Sequence, residues 1–230
     1  MWCSPGTHET AALLISALRI PLVAKIADIG AGSGALLVRL RDLGYSHLSA
    51  FDMEPIAPPL DEIPVNICDL NEPFCEGNCG KFDLVTAVEV IEHLESPRAF
   101  LRQLRSLVSA QGTLIISTPN IANILGRFEF FINGSLRFFG KKTYLEQRHI
   151  SVLSLDQLRW ALEEAGFTVT TVVTAGSFVK PWIRRLYSPM AAFVRLICGQ
   201  LASGDVILVV AQASTIPDLN KLRRYRDKYR

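Results

Sequence analysis

The chain has 230 residues, with 24 lysines and arginines against 22 aspartates and glutamates and a formal net charge of +2. This balance excludes a strongly basic protein that holds nucleic acid by bulk electrostatics. The five cysteines are an odd number and do not predict a disulfide framework. No secretion signal and no run of ~18 apolar residues is found, so we expect one cytoplasmic domain over residues 1–230.

The first motif is a glycine-rich turn between an apolar segment and a helical pattern. Residues 23–29 predict a buried strand, and Leu36, Leu37, Leu40 and Leu43 then recur at helical spacing. The glycines between them permit a sharp turn and let a ligand approach main-chain N–H groups at the helix N-terminus. A second short strand, residues 48–51, ends at Asp52, where nucleotide-binding folds place an acid on a ribose hydroxyl.

The spacing of this motif favours an adenosine ligand that carries no phosphate. Asp28 precedes Gly30, Gly32 and Gly34, and its carboxylate would repel a pyrophosphate. The pattern resembles the first motif of class I methyltransferases that use S-adenosylmethionine. A tight turn between a strand and a helix, without a ligand, is the alternative interpretation.

Further apolar segments predict a sheet. Residues 63–67, 81–89 and 112–120 read as strands separated by helical segments, which is typical of a parallel, doubly wound arrangement. Residues 168–174 and 205–213 are similar to the terminal antiparallel hairpin of a seven-stranded methyltransferase sheet. We therefore expect an α/β, Rossmann-like fold with seven strands, mostly parallel with a terminal antiparallel strand, and helices on both faces.

The resemblance implies how the cofactor is held. The first motif would lie near the methionine portion, Asp52 would bind the ribose diol, and Asp69 would lie beside the adenine amino group. The predicted cofactor-binding residues are Asp28, Gly30, Ala31, Gly32, Gly34, Asp52, Met53, Asp69, Leu70 and Glu89.

A further group of polar residues follows the fourth predicted strand, at the sheet edge where open α/β sheets bind ligands. Glu89, Glu92 and His93 are spaced to share one face of a helical turn. Two carboxylates and an imidazole suit a divalent cation, such as magnesium or manganese, or a general base with its orienting partner. This pattern resembles both ubiquinone-pathway O-methyltransferases and small-RNA 2′-O-methyltransferases; in the RNA family a second histidine completes the site, and His149 is the candidate here.

Metal-free small-molecule methyltransferases carry a similar pattern, so the pattern alone does not decide whether a metal is bound. Glu89, Glu92, His93 and His149 are the candidate ligands, and His93, His149 and Glu92 are the predicted catalytic residues on the acceptor side.

Two insertions should decide the acceptor. Residues 121–150 predict a lid rich in phenylalanine and in lysine and arginine, which suits nucleic-acid bases, a lipid or an aromatic acceptor, or else a helical hairpin packed on the core. Residues 178–201 predict a basic amphipathic segment before the last strand, which could contact a membrane surface, form a dimer face or pack on the core.

The predicted function is transfer of a methyl group from S-adenosylmethionine to an acceptor. The resemblance to the ubiquinone-methyltransferase-like group favours a hydroxyl oxygen of a small or lipid-linked molecule. A metal-dependent RNA 2′-O-methyltransferase and a non-catalytic S-adenosylmethionine-binding module are the alternatives. We expect a monomer or homodimer.

Overall fold

The computed structural model describes residues 4–56, 60, 62–75, 80–176 and 203–214. The predicted amphipathic insertion at 178–201 lies outside these residues. Its proposed roles therefore stay predictions.

The described strands form one seven-stranded sheet in the order β3-β2-β1-β4-β5-β7-β6. Its members are β1 (Ile26–Ile29), β2 (Leu48–Asp52), β3 (Val65–Ile67), β4 (Phe82–Ala87), β5 (Val108–Pro119), β6 (Phe167–Ala175) and β7 (Val206–Ala213). The first five are paired in parallel. Strand β7 runs antiparallel to both β5 and β6, which confirms the predicted fold.

Helices cover both faces of the sheet. They are α1 (Thr7–Ala17), α2 (Ala35–Asp42), α3 (Pro97–Leu107), α4 (Ile124–Asn133), α5 (Lys141–Gln147) and α6 (Leu155–Ala165). One core cluster joins α1 and α2 to sheet residues such as Ile26 and Leu84, and the other joins α3 and α6 to their neighbours Ala27 and Val85. Alternate strand residues thus supply opposite cores, as the period of a strand requires.

Several boundaries differ from the predicted ones. Strand β1 begins at Ile26, and Val23 is 75% exposed in the turn before it. Strand β5 begins four residues before Gly112, directly after α3, because it pairs with β4 from Phe82 onward. The predicted start of α6 is confirmed, since Ser154 and Gln157 form a complete capping box. Cys75 is disulfide-bonded, which the odd cysteine count did not predict, and Cys68 is free.

The predicted lid at 121–150 contains two short helices, α4 and α5. Asn123 caps α4 by accepting a hydrogen bond from the Gly126 amide at 2.7 Å. The phenylalanines of α4 are not packed on the core, because Phe128 and Phe131 are 63% and 84% exposed. The core-packed hairpin considered above is therefore wrong for these side chains. None of the described helices has the length and apolar character needed to cross a membrane.

Candidate functional site

The glycine-rich turn joins β1 to α2 and is fastened to the end of β2. Gly30, Gly32 and Gly34 all have positive φ angles, of 72°, 54° and 76°. The Gly30 amide donates to the Phe51 carbonyl at 2.7 Å, and the Gly32 amide donates to Asp52 Oδ2 at 2.7 Å. Asp52 therefore reaches the turn from the neighbouring strand, and the two predicted halves of the cofactor site are in contact.

Asp28 lies beneath this turn and is 3% exposed. Its Oδ1 accepts a hydrogen bond from Thr86 Oγ1 at 2.7 Å, across the β1–β4 pair. Burial raises the pKa of the Asp28 carboxyl to about 7, Asp52 adds to this increase, and the Thr86 hydrogen bond opposes it. The Asp28 side chain is therefore held against β4, next to the turn, by the Thr86 hydroxyl.

We expect Asp28→Asn to change how stability depends on pH. The folded-state pKa of about 7 lies above the usual value of 3.8, so the contribution of Asp28 to stability is most favourable below pH 4 and falls as the pH rises to 7. The neutral amide removes this loss, which corresponds to about 4 kcal/mol as an upper bound. Urea unfolding at pH 5 and pH 8 should show a smaller decrease in the variant than in wild type. Equal decreases would contradict a raised pKa at Asp28.

A cavity of about 1320 Å³ opens beside the turn, at the carboxyl ends of β1, β2 and β4. Six of the predicted site residues line it: Gly30, Asp52, Met53, Asp69, Leu70 and His93. The remaining described residues on its wall are Asn71, Val90, Leu94, Glu95, Tyr144, Leu145, Glu146, Gln147, Arg148 and Ile150. Helix α5 of the predicted lid thus forms the wall that faces the glycine turn.

Seven other predicted site residues do not line this cavity. Ala31, Gly32 and Gly34 belong to the turn next to it, whereas Asp28 is buried in β1 and Glu89 is buried just after β4. Glu92 and His149 lie behind His93. Their predicted roles at the cofactor or acceptor stay predictions.

Glu92, His93 and His149 form a compact group. Each offers one donor atom, and the three atoms lie within 4.8 Å of one another. The two imidazole rings meet edge to face, with centroids 4.9 Å apart. His149 comes from the loop after α5, and the Ile150 and Ser151 amides both donate to the Glu92 carbonyl at 2.9 Å. These main-chain hydrogen bonds hold the second histidine beside the first.

Glu89 does not belong to this group, which corrects the predicted helical turn. The turn is a 3₁₀ helix that covers only Ile91–His93, and Glu89 has a φ of 57° before it. The Glu89 amide donates to Ser117 Oγ at 2.8 Å, and its carboxylate also faces that hydroxyl. Burial raises the pKa of Glu89 to about 8. The left-handed backbone at Glu89 therefore directs its side chain towards β5.

The Glu92 carboxyl is fully buried; the Thr118 hydroxyl faces it, but neither carboxyl oxygen makes a hydrogen bond of normal geometry. Its Oε1 lies 3.9 Å from His93 Nε2. Burial, followed by the charge of Glu89, raises the pKa of Glu92 well above its usual value. Burial also lowers the pKa of both His93 and His149. A buried carboxyl that lacks a well-formed hydrogen bond is costly, which makes Glu92 a candidate for holding a ligand.

Sequence reasoning missed several cavity residues. Asn71 Oδ1 accepts a hydrogen bond from the Glu95 amide at 2.9 Å, which joins the end of β3 to the turn after β4. Arg148 lines the cavity with a left-handed backbone, at a φ of 56°. Glu95 could have been predicted from the sequence, because it lies two residues after His93. Arg148 belongs to the basic residues of the predicted lid, but its place on the cavity wall depends on where α5 ends.

Similarity to proteins of known sequence and structure agrees with this geometry. The fold and the glycine turn define a Rossmann-like methyltransferase domain. A family model described as a methyltransferase domain matches residues 7–172, well over half of the chain. The chain belongs to this methyltransferase family, and the resemblance noted in the sequence is confirmed at the level of the family.

Curated relatives include ubiquinone biosynthesis O-methyltransferases. The Glaesserella parasuis enzyme is 28% identical over 155 residues, covering 61% of this chain and 64% of that protein. The mitochondrial rat enzyme is 30% identical over 175 residues, covering 69% and 48%. The Xanthomonas axonopodis enzyme is 27% identical over 183 residues, covering 74% and 73%. The chain thus spans half to two thirds of the length of the first two of these relatives.

Solved structures share the fold. A putative methyltransferase from Bacillus halodurans superposes with a TM-score of 0.63 at 16% identity, covering 90% of this chain and all of that one. The magnesium protoporphyrin IX methyltransferase of Synechocystis, determined with bound S-adenosylhomocysteine, gives a TM-score of 0.57 at 16% identity, covering 90% and 82%.

Proposed function

We propose that this chain transfers the methyl group of S-adenosylmethionine to a hydroxyl oxygen of a small or lipid-linked acceptor. One observation carries the proposal. A single cavity has the glycine turn with Asp52 and Asp69 on its wall and also has His93 there, in front of Glu92 and His149. A methyl donor and an acceptor can therefore meet in one enclosed space, which methyl transfer requires.

The cofactor half of the cavity suits a nucleoside without phosphate. Asp52 Oδ2 is engaged by the Gly32 amide, and Oδ1 faces the Glu54 amide at 3.3 Å, a long hydrogen bond that a diol can replace. Asp69, Glu95 and Glu146 add further carboxylates to the wall. This acidic wall favours a cationic sulfonium and an amino group over a pyrophosphate.

The acceptor half favours an apolar body. Three cavity residues of the lid expose large apolar side chains: Tyr144 (57%), Leu145 (65%) and Ile150 (41%). Exposed apolar side chains that border a pocket are typical of ligand or partner contacts. They support an aromatic or lipid-linked acceptor with its hydroxyl directed inward.

Glu92, His93 and His149 are the groups for the chemistry at that hydroxyl. The sulfonium already activates the methyl group, so the protein must orient the acceptor oxygen and accept its proton. Burial keeps both imidazoles neutral by lowering their pKa, and a neutral imidazole can accept a proton. His93 lines the cavity and is the base nearest to the acceptor.

The same three residues fit a divalent cation. One carboxylate and two imidazoles within 4.8 Å are a donor set that transition metals accept, and the unpartnered oxygens of Glu92 are the observation that tests the fit. A cation bound there would lower the pKa of the acceptor hydroxyl. The protein residues would then hold the oxygen and exclude water from it.

The same cluster favours a second candidate, an RNA 2′-O-methyltransferase. The acceptor oxygen in that case is a ribose hydroxyl, and Tyr144 could stack on a base at the cavity mouth. The net charge of +2 supports this function less well than the first.

Calorimetric titration with S-adenosylmethionine and S-adenosylhomocysteine tests the proposal. It should be run with a chelator and then with magnesium or manganese, followed by labelled methyl transfer to lipid extracts and to RNA. Binding followed by transfer to lipid is the expected result. Transfer to RNA would support the second candidate, and binding without transfer to either would support a non-catalytic module.

We expect Asp52→Asn to weaken cofactor binding about 5- to 150-fold, which is the effect of losing one charge-assisted hydrogen bond of about 1–3 kcal/mol. Asparagine keeps an oxygen for the Gly32 amide, so the turn should remain intact. Glu54→Gln is the matched control, because Glu54 makes the same change of charge two residues away and does not line the cavity. An unchanged dissociation constant in Asp52→Asn would refute the ribose assignment.

A further inference from the structure

The backbone before His149 contains a residue in an unusual conformation. Phe138 has a φ of 69°, in the left-handed region that a bulky side chain rarely adopts. Its carbonyl lies 2.8 Å from His149 Nδ1. A strained backbone conformation persists only where the surrounding structure stabilises it, so contacts with neighbouring residues must stabilise Phe138.

The turn around Phe138 is closed by the Phe139 amide, which donates to the Leu136 carbonyl at 3.0 Å, and a second neighbour that contacts Phe138 is Arg137. Its guanidinium carbon lies 4.9 Å from the centre of the Phe138 ring, a cation–π distance. Its Nη1 lies 3.8 Å from Glu129 Oε2 on α4, and its Nε lies 3.8 Å from Asp205 Oδ1 at the start of β7. Asp205 is 5% exposed and accepts a hydrogen bond from Asn123 at 3.0 Å. Arg137 therefore connects the lid, the sheet and Phe138.

The Phe138 carbonyl decides which nitrogen of His149 carries the proton. A carbonyl oxygen can only accept, so the 2.8 Å contact requires a hydrogen on Nδ1. In the neutral ring the lone pair then lies on Nε2. A hydrogen bond on one imidazole nitrogen commonly fixes the tautomer and orientation of the other.

We propose that Arg137 is a positioning residue that, by holding Phe138 in its left-handed conformation, fixes His149 as the Nδ1–H tautomer with its Nε2 lone pair available to the Glu92–His93 site. This inference rests on the proposed function. It adds a positioning residue that lies 12 positions before His149 and contacts neither cofactor nor acceptor. Without Arg137, Phe138 is free to relax to a negative φ, and its carbonyl turns away from His149.

Nitrogen-15 NMR of the histidine side chains in the full chain tests the tautomer directly. In wild type, the two-bond couplings should identify His149 Nδ1 as protonated and Nε2 as the bare nitrogen. Arg137→Met keeps the aliphatic stem beside α4 but removes the charge. We expect it to mix the two tautomers and to weaken Mn²⁺ binding at the cluster about tenfold, the lower end of the usual effect of losing an outer-shell partner. Arg127→Met is the control, because Arg127 lies in the same lid, is exposed and donates to the Ala122 carbonyl.

The outcomes separate this inference from the function. A protonated Nε2 in wild type, or an unchanged tautomer and unchanged Mn²⁺ affinity in Arg137→Met, would overturn it. If Arg137→Met does not fold, Glu129→Gln removes one of its two anionic partners at a half-exposed site and should shift the tautomer in the same direction. S-adenosylmethionine binding reports on the proposed function alone, since neither Arg137 nor Phe138 lines the cavity.

Discussion

Gly30→Ala should destabilise the fold by about 2–5 kcal/mol and remove cofactor binding. A Cβ at this position would lie 2.5 Å from Cγ2 of Val90, a buried β-branched side chain that cannot turn away. Overpacking of this kind costs about 1–3 kcal/mol, and the left-handed φ of 72° adds about 1–2 kcal/mol for a residue with a side chain. Urea unfolding and calorimetry with S-adenosylmethionine measure the two effects.

Gly32→Ala separates the clash from the backbone strain. Gly32 also has a positive φ, but no atom lies within 4 Å of its hypothetical Cβ. Gly32→Ala should therefore lower the free energy of unfolding only by the cost of the backbone strain, about 1–2 kcal/mol. Adding Val90→Ala to Gly30→Ala should recover part of the stability, because the two sites are in contact and couple. Equal losses in the two single variants would show that Val90 does not restrict the turn.

Glu92→Gln should lower methyl transfer about a hundredfold or more while leaving the S-adenosylmethionine dissociation constant unchanged. Glu92 does not line the cavity and makes no hydrogen bond of normal geometry, so we expect the substitution to act on the acceptor chemistry and, where a cation is bound, on its affinity. Labelled transfer with the acceptor found above, measured beside calorimetry and thermal unfolding, distinguishes these effects.

Glu95→Gln is the matched control for that experiment. It makes the same chemical change three residues along the chain, on the cavity wall and exposed to solvent. It should reduce transfer by much less than Glu92→Gln. Comparable losses would mean that the charge of the cavity, rather than the buried cluster, is what methyl transfer requires.

The cofactor side was predictable because its signals are local. The spacing of the glycines predicts the positive φ angles of one turn, and the capping-box pattern at Ser154 predicts where one helix begins. Both depend on residues within a few positions of one another. The grouping of His93 with His149 was also predicted, but from a family resemblance rather than from local physics.

The acceptor side was less predictable because its geometry depends on distant contacts. Glu89 was expected beside Glu92, yet a single left-handed residue turns it towards Ser117 on β5. The α4 phenylalanines were candidates for core packing, but both cores are already filled by α1, α2, α3 and α6. The hydrogen bond that His149 Nδ1 donates to the Phe138 carbonyl spans 11 residues and follows no repeating pattern.

The position of β7 has a consequence for synthesis on the ribosome. This strand, the last in the described chain, inserts between β5 and β6 and brings Asp205 and the Gly204 carbonyl to Asn120 and Asn123. Strands β1 to β5 can pair once about half of the chain has emerged, so the glycine turn can form early. The contacts that anchor the lid must wait until residue 205 leaves the exit tunnel, so the lid is the last of these described parts to reach its final packing.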